Sequence, residues 1–244
     1  MTGAAPAPEP GAAFRYEPFP DIDMPLPARL GQFPRQPDIA TDVARAVGGP
    51  LAAAFIRSQF RFEVVGSVPD VPRLALMPNH QSHLDALAVL SILPARLRRR
   101  VTVLAARDYF FERPAPALLA SVLWGAVAFD RRSRLSELRR WTRVLRDTPD
   151  GWFLVFPQGS RKTTALHAGL PLVLARSGWP VVPVALAGTA EAWPVGARAW
   201  RPFRRIRVTF GEPVEDAGTR DLLDLLATFW AEHGDVDDAS EGRR

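Results

Sequence analysis

Met77-Pro78-Asn79-His80-Gln81-Ser82-His83-Leu84-Asp85 is the stretch whose surroundings decide the fold. Before it runs Arg73-Leu74-Ala75-Leu76, a short apolar segment that reads as a strand; after it runs Ala86-Leu87-Ala88-Val89-Leu90, which reads as a helix. A histidine and an aspartate are thereby concentrated at a strand-to-helix junction, where α/β proteins often keep their chemistry. The His80-x4-Asp85 spacing lets a carboxylate in the first helical turn grip a histidine just ahead of the helix. Such a grip fixes the ring tautomer and leaves the other nitrogen free to take a proton. The same residues also spell Ser82-x-x-Asp85 before an apolar run, a capping-box pattern in which Asp85 only ties down helix amides. Both readings fit the nonapeptide.

Outward from this stretch the pattern alternates. Runs at Phe62–Val65, Leu74–Met77, Val101–Ala105, Ala126–Phe129, Trp152–Phe156, Val181–Ala187 and Ile206–Phe210 read as strands. Helical stretches fall between them at Leu84–Leu93, Ala115–Trp124, Leu135–Arg146, Leu166–Ser177 and Asp221–Glu232. In the third, Leu135, Leu138, Thr142 and Leu145 share one face, with Arg139, Arg143 and Arg146 on the other. Strands separated by helices predict an α/β fold, a mostly parallel central sheet flanked by helices on both faces. Ahead of it, Ile39, Val43 and Val47 at i, i+4 spacing, then Gly48-Gly49-Pro50 and the apolar 51–60, predict two short helices broken at the glycines. These either pack on the domain or rest on a bilayer with Phe55, Ile56 and Phe60 inserted. Residues 1–37 hold nine of the 24 prolines and should form a disordered or loosely draped leader, and the tail 234–244 should be flexible. The expected divisions are therefore 1–37, a helical segment 38–60, an α/β domain 61–233 and the tail.

A chain of 244 residues, 47% hydrophobic and 23% charged, can enclose one substantial core. It has no cysteine, which excludes disulfides, thiolate nucleophiles and cysteine-held metals. The longest apolar run, 116–129, is short of the roughly 20 residues that span a bilayer. No basic-then-apolar secretory pattern opens the chain, so a cytoplasmic location is expected. The net charge is +5, and of the 31 Lys+Arg residues only Lys162 is lysine. Arginine pairs and triplets at 98–100, 131–132, 139–140 and 204–205 are either solvated faces or attractors of anionic headgroups and phosphorylated substrates. They are dispersed and accompany no nucleic-acid motif, so no nucleic-acid partner is expected.

Three more stretches carry chemistry. Gly125-Ala126-Val127-Ala128-Phe129-Asp130-Arg131-Arg132 ends a strand on an acid and two arginines, whose planar forks suit phosphate, although a surface turn fits as well. Trp152-Phe153-Leu154-Val155-Phe156-Pro157-Gln158-Gly159-Ser160-Arg161-Lys162 ends a strand on adjacent donors, and Gly159 lets a backbone approach closely. Ser160, Arg161 and Lys162 could hold a phosphate there; a plain basic turn is the alternative. It is not a P-loop, because the Gly-x4-Gly-Lys spacing is absent. Val182-Pro183-Val184 is a strand whose proline suits an edge, a strand start or a bulge.

Taken in order, these four stretches resemble the glycerolipid (1-acylglycerol-3-phosphate) acyltransferase superfamily. Asn79-His80-x4-Asp85 is similar to its Asn-His-x4-Asp motif, Phe129-Asp130-Arg131 to its second motif, Phe156-Pro157-Gln158-Gly159-Ser160-Arg161 to its Phe-Pro-Glu-Gly-Thr-Arg, and Val182-Pro183-Val184 to its fourth. Arg207-Val208-Thr209-Phe210-Gly211-Glu212-Pro213 is similar to the family's usual ending, so the resemblance covers about residues 60 to 214. Gln158 stands where the family has glutamate and Ser160 where it has threonine. Serine keeps the hydroxyl; glutamine keeps the acceptor oxygen and drops the charge.

The resemblance implies transfer of a fatty acyl group from acyl-CoA or acyl-carrier protein to the hydroxyl of a lysoglycerophospholipid. His80 would act as general base with Asp85, while Arg131, Gln158, Gly159, Ser160, Arg161 and Lys162 would bind the acceptor. It implies no metal and no resident cofactor, and a peripheral place on the inner face of the membrane. His83 is expected to be exposed or merely packing. A Ser-His-Asp hydrolase would need a Gly-x-Ser-x-Gly elbow, which the chain lacks. A metal-dependent hydrolase using His80, His83 and Asp85 is the rival enzyme, and a non-catalytic lipid-binding relative is the other alternative.

Overall fold

The computed structural model describes residues 24–31, 39–106, 118–121, 125–129, 135–158, 166–167, 169–215 and 219–234. Its elements in chain order are α1 (Leu26–Leu30), α2 (Ile39–Gln59), β1 (Arg61–Val65), β2 (Arg73–Pro78), α3 (Asp85–Ile92), α4 (Ala95–Arg98), β3 (Val101–Ala106), β4 (Ala126–Phe129), α5 (Leu135–Asp147), β5 (Gly151–Leu154), α6 (Gly169–Arg176), β6 (Val181–Ala187), α7 (Thr189–Ala192), β7 (Arg205–Phe210) and α8 (Thr219–His233). Residues 118–121 add a helical turn inside the stretch expected to be helical at Ala115–Trp124.

Among the described residues, seven strands form one sheet in the order β1-β7-β6-β2-β5-β3-β4. Every neighbouring pair is parallel except β6 with β7. The reason lies in composition: Leu74, Ala75, Leu76 and Met77 of β2 are all fully buried, as are most residues of β6, and strands covered on both faces need continuous apolar runs. Leu74 and Leu76 pack with Ile56 of α2, Phe60 just beyond it, Ala88 and Val89 of α3 and Leu97 of α4. Ala75 and Met77, pointing the other way, join Trp141 and Leu145 of α5, Leu174 of α6 and Leu226 of α8. The result is three layers, helix on sheet on helix, with the expected mostly parallel sheet and an N-terminal helix.

Three sequence expectations are corrected. The glycines at 48 and 49 do not divide the N-terminal segment: α2 is one 21-residue helix with Pro50 inside it. Anchors at both ends override the local preference to break. Arg45 Nη2 donates to Val101 O at 2.6 Å, and Ile56 and Phe60 are buried in the core. Within 1–37, expected to be disordered or loosely draped, Leu26–Leu30 form a helical turn, Leu30 is buried, and Gly31 O accepts the Ala128 N–H at 3.0 Å. That contact covers the edge strand β4. Pro183 lies in an interior strand rather than at an edge. Its carbonyl accepts the Gly211 N–H at 2.9 Å where the β6–β7 pairing ends at Val184↔Phe210, so the missing donor falls where β7 leaves the sheet.

The short helices α4 and α7 carried no pattern long enough to read. Gly188 turns the chain from β6 into α7 at φ +81°, and a Cβ there would sit 2.2 Å from Arg205 O. Only glycine meets both demands. Gly188→Ala is therefore expected to destabilise the domain by about 1–3 kcal/mol, read as a lower midpoint in urea unfolding. An unchanged midpoint would contradict the close approach.

Candidate active site

Register brings two loops together at one end of the sheet. Leu76 of β2 pairs with Leu154 of β5, and His80 and Gln158 each lie four residues beyond those partners. On the other side Pro78 pairs with Val184 of β6, so Asn79 continues β2 beside Leu186. The Asn79 side chain completes that pairing: Nδ2 donates to Leu186 O at 3.0 Å, and Leu186 N–H donates to Oδ1 at 2.7 Å. Gln81 Nε2 also donates to Leu186 O. The stretch is thus pinned to β6 before α3 begins.

Asp85, fully buried in the first turn of α3, sets the shape of the loop. Its Oδ2 accepts the Gln81 N–H at 2.7 Å, the Ser82 N–H at 2.8 Å and the His80 Nδ1–H at 2.8 Å. One oxygen of Asp85 thus meets the His80 ring and the two loop amides ahead of α3. With the carboxylate accepting the hydrogen bond from Nδ1–H, the lone pair of His80 is on Nε2, the arrangement a general base requires. The His80 side chain is 21% exposed and its ring lies 4.3 Å, centroid to centroid, from Phe156.

Gln158, 8% exposed, turns its Oε1 back to accept the His80 backbone N–H. The residue expected to contact the acceptor thus braces the His80 backbone. Its carbonyl oxygen suffices, so the absent carboxylate charge is not needed for this contact. His167 N–H donates to Pro157 O at 2.9 Å, which ties the far end of the following segment to the same place. Arg131, Gly159, Ser160, Arg161 and Lys162, expected to bind the acceptor, lie outside the described residues.

His83 packs on Trp193 with ring centroids 5.2 Å apart, in line with a packing role. Among the described residues, no three His, Asp or Glu side chains are grouped as metal ligands. Ser82 Oγ donates to Trp193 O at 2.8 Å and accepts the Leu84 N–H at 3.2 Å. Sequence reading missed the parts played by Asn79, Gln81, Ser82 and Phe156. Only the polar density of the nonapeptide hinted at them, since their partners lie far along the chain.

A model of the family described as Acyltransferase matches residues 61–187, just over half of the 244 residues. The chain belongs to the acyltransferase family. The match takes in Asn79, His80, Asp85 and Gln158. A search of curated proteins finds none whose sequence matches. Among solved structures, this acyltransferase is similar to the 1-acyl-sn-glycerophosphate (LPA) acyltransferase PlsC of Thermotoga maritima, at 18% identity and a TM-score of 0.57. That likeness covers 83% of this chain and 81% of the other, and at such identity it speaks for the fold.

Removing the Gln158 oxygen leaves a partly buried N–H without its acceptor. Gln158→Ala is expected to cost about 1–3 kcal/mol in urea unfolding, whereas Gln158→Glu, which retains an oxygen, should cost less. Equal losses would contradict the brace.

Proposed function

We propose that this acyltransferase moves a fatty acyl group from a thioester, acyl-CoA or acyl-carrier protein, to the free hydroxyl of a lysoglycerophospholipid, with 1-acylglycerol-3-phosphate as the first candidate. The observation that carries the reading is the 2.8 Å contact between His80 Nδ1 and Asp85 Oδ2. In the first step His80 Nε2 accepts the hydroxyl proton as the oxygen attacks the thioester carbonyl. Asp85 supports the imidazolium that forms. The tetrahedral intermediate then expels the thiolate, the imidazolium returns the proton to sulfur, and an ester remains. General-base assistance of this kind supplies about 10²–10⁴-fold, and the rest must come from positioning and oxyanion stabilisation. No protein nucleophile, metal or resident cofactor enters these steps.

Acceptor recognition is assigned to the loop after Gln158. Ser160, Arg161 and Lys162 follow directly after Gln158, whose side chain braces the His80 backbone, and their donors suit an acceptor phosphate. Arg131 follows β4 in the sequence, and β4 lies three strand spacings, about 14 Å, from β2. A phosphate between Arg161 and Arg131 would orient the hydroxyl, and Gln158 would act through the His80 backbone. The family's lipid chemistry supports a membrane-borne acceptor, with the enzyme peripheral on the cytoplasmic face.

His80→Ala is expected to lower thiolate release from acyl-CoA in the presence of 1-acylglycerol-3-phosphate by at least about 10²-fold without loss of fold; an unchanged rate would remove the base from the mechanism. Arg161→Ala should raise the acceptor KM far more than the donor KM. Equal rises would argue against a phosphate clamp. Mass spectrometry of products from a panel of lyso-lipids names the acceptor.

A further inference from the structure

β7 runs antiparallel to β6, and β1 runs parallel to β7, so both begin at the end of the sheet where β2 and β6 finish. The chain enters β7 through Arg198, Arg201, Arg204 and Arg205 and enters β1 at Arg61, and all five are exposed. In the strand order, β7 and β1 lie two and three spacings, about 10 and 14 Å, from β2, the strand that leads to His80. None of the five side chains makes an ion pair or hydrogen bond among the described residues, and no acidic residue occurs from 192 to 206. By contrast Arg207 meets Glu63 at 3.3 Å, and Arg100 meets Asp70 at 3.0 Å and Asp150 at 2.6 Å. Arg61 and Arg205 are moreover direct partners in the β1–β7 register, where like charges oppose the pairing. A repulsion that the fold does not need points to an anion received from outside.

The same turn is apolar at its centre and fixed in shape. Residues 195–205 are all exposed except the half-buried Trp200. Phe203 is 67% exposed with φ +64°, a costly conformation for a bulky side chain turned to solvent, and Val195 is 42% exposed. Trp193 Nε1 donates to Ala197 O at 3.0 Å, Arg201 N–H to Ala192 O at 2.7 Å and Phe203 N–H to Gln59 O at 2.6 Å. An aromatic path leads from the turn to the site. The Trp200 ring lies 5.4 Å from Trp193, centroid to centroid, and the Trp193 ring lies 5.2 Å from His83. Ser82 Oγ donates to Trp193 O at 2.8 Å, which ties the path to the His80 loop. The acceptor phosphate is assigned above to residues that follow β5 and β4, on the other side of β2. The β7–β1 side is left to the thioester.

We propose that the turn 195–205 together with Arg61 is the docking surface for an acidic acyl-carrier protein, whose thioester arm reaches His80 past Trp200 and Trp193. The inference rests on the acyl-transfer reading above and chooses between its two donors. A nucleotide is held in a concave, largely enclosed site. These arginines instead stand on open surface around Phe203 and Val195, an apolar centre with a charged rim, which is the anatomy of a protein interface. Carboxylates spread over a protein surface match arginines spread over two strands and a turn. The acyl group of such a protein rides on a long pantetheine arm, so its docking site must lie to one side of the base, as β7 and β1 do. A second copy of this chain would oppose like charges there.

The test compares palmitoyl-carrier protein with palmitoyl-CoA as donors to a short-chain acceptor below its micellar concentration, without vesicles, the ester being read by mass spectrometry. The full chain is measured as wild type, Arg201→Gln/Arg204→Gln/Arg205→Gln and Phe203→Gly. Wild type should use the carrier protein with a KM that rises with salt. The glutamine variant should raise that KM by about tenfold or more and flatten its salt dependence, with the CoA KM and both kcat values near wild type. Phe203→Gly should raise the carrier-protein KM while holding or raising the melting temperature, because glycine takes a positive φ without strain. Direct titration with the unloaded carrier protein should rank the three proteins in the same order.

Equal KM rises for both donors would give the arginines to a phosphate that the two donors share and overturn the proposal. A wild type that does not bind the carrier protein, or that uses acyl-CoA alone, would overturn it as well. Unchanged KM values in solution, with losses only when the acceptor is presented in vesicles, would give the turn to a membrane and also overturn it. Carrier-protein binding that the glutamine variant loses, with no ester formed from either donor, would leave the surface standing and defeat the acyl-transfer reading alone.

Discussion

One buried oxygen, Asp85 Oδ2, holds the Nδ1–H of His80 and the amide N–H groups of Gln81 and Ser82. Shape and chemistry are inseparable at this atom. The two amide bonds bend the chain from β2 into α3, and the bend delivers the imidazole to the same carboxylate. Burying a carboxylate is costly, and three donors together with the start of α3 offset that cost. A neutral replacement would loosen the loop and the tautomer at once. The acid is therefore best understood as the keystone of the junction rather than as an accessory to the histidine.

The second constraint is register. His80 and Gln158 meet because β2 and β5 are neighbours and each residue lies the same distance past a paired leucine. A glutamine at 158 needs only its carbonyl oxygen to brace the His80 backbone. That leaves Asp85 as the one carboxylate hydrogen-bonded to His80 among the described residues. On the other side, Asn79 copies a strand's hydrogen-bond pair against Leu186 with its side chain. The His80 loop is thus fixed from three directions by a helix, a neighbouring loop and an interior strand.

Much of this was legible in the sequence, for physical reasons. Doubly covered strands must be uninterrupted apolar runs, so β2, β5 and β6 stood out, and the helices between them implied a parallel sheet. His80 and Asp85 were legible because their interaction spans five residues. The bond between Asn79 and Leu186 spans 107, and nothing local announces it. The continuity of α2 was hidden by Gly48-Gly49-Pro50, because local propensity argues for a break and only the anchors at both ends overrule it. Its inward face was equally hidden. With Phe55, Ile56 and Phe60 all apolar, periodicity cannot distinguish the core side from the outer side; the structure buries Ile56 and Phe60 and leaves Phe55 exposed.

The most direct measurement is ¹⁵N NMR of the full chain labelled at histidine, at a pH where the imidazoles are neutral. The account predicts that His80 carries its proton on Nδ1, with a pyridine-like Nε2, and that Asp85→Asn removes this signature from that one ring. A His80 resonance in the common Nε2–H form, unchanged by Asp85→Asn, would contradict the hydrogen bond on which the site is built.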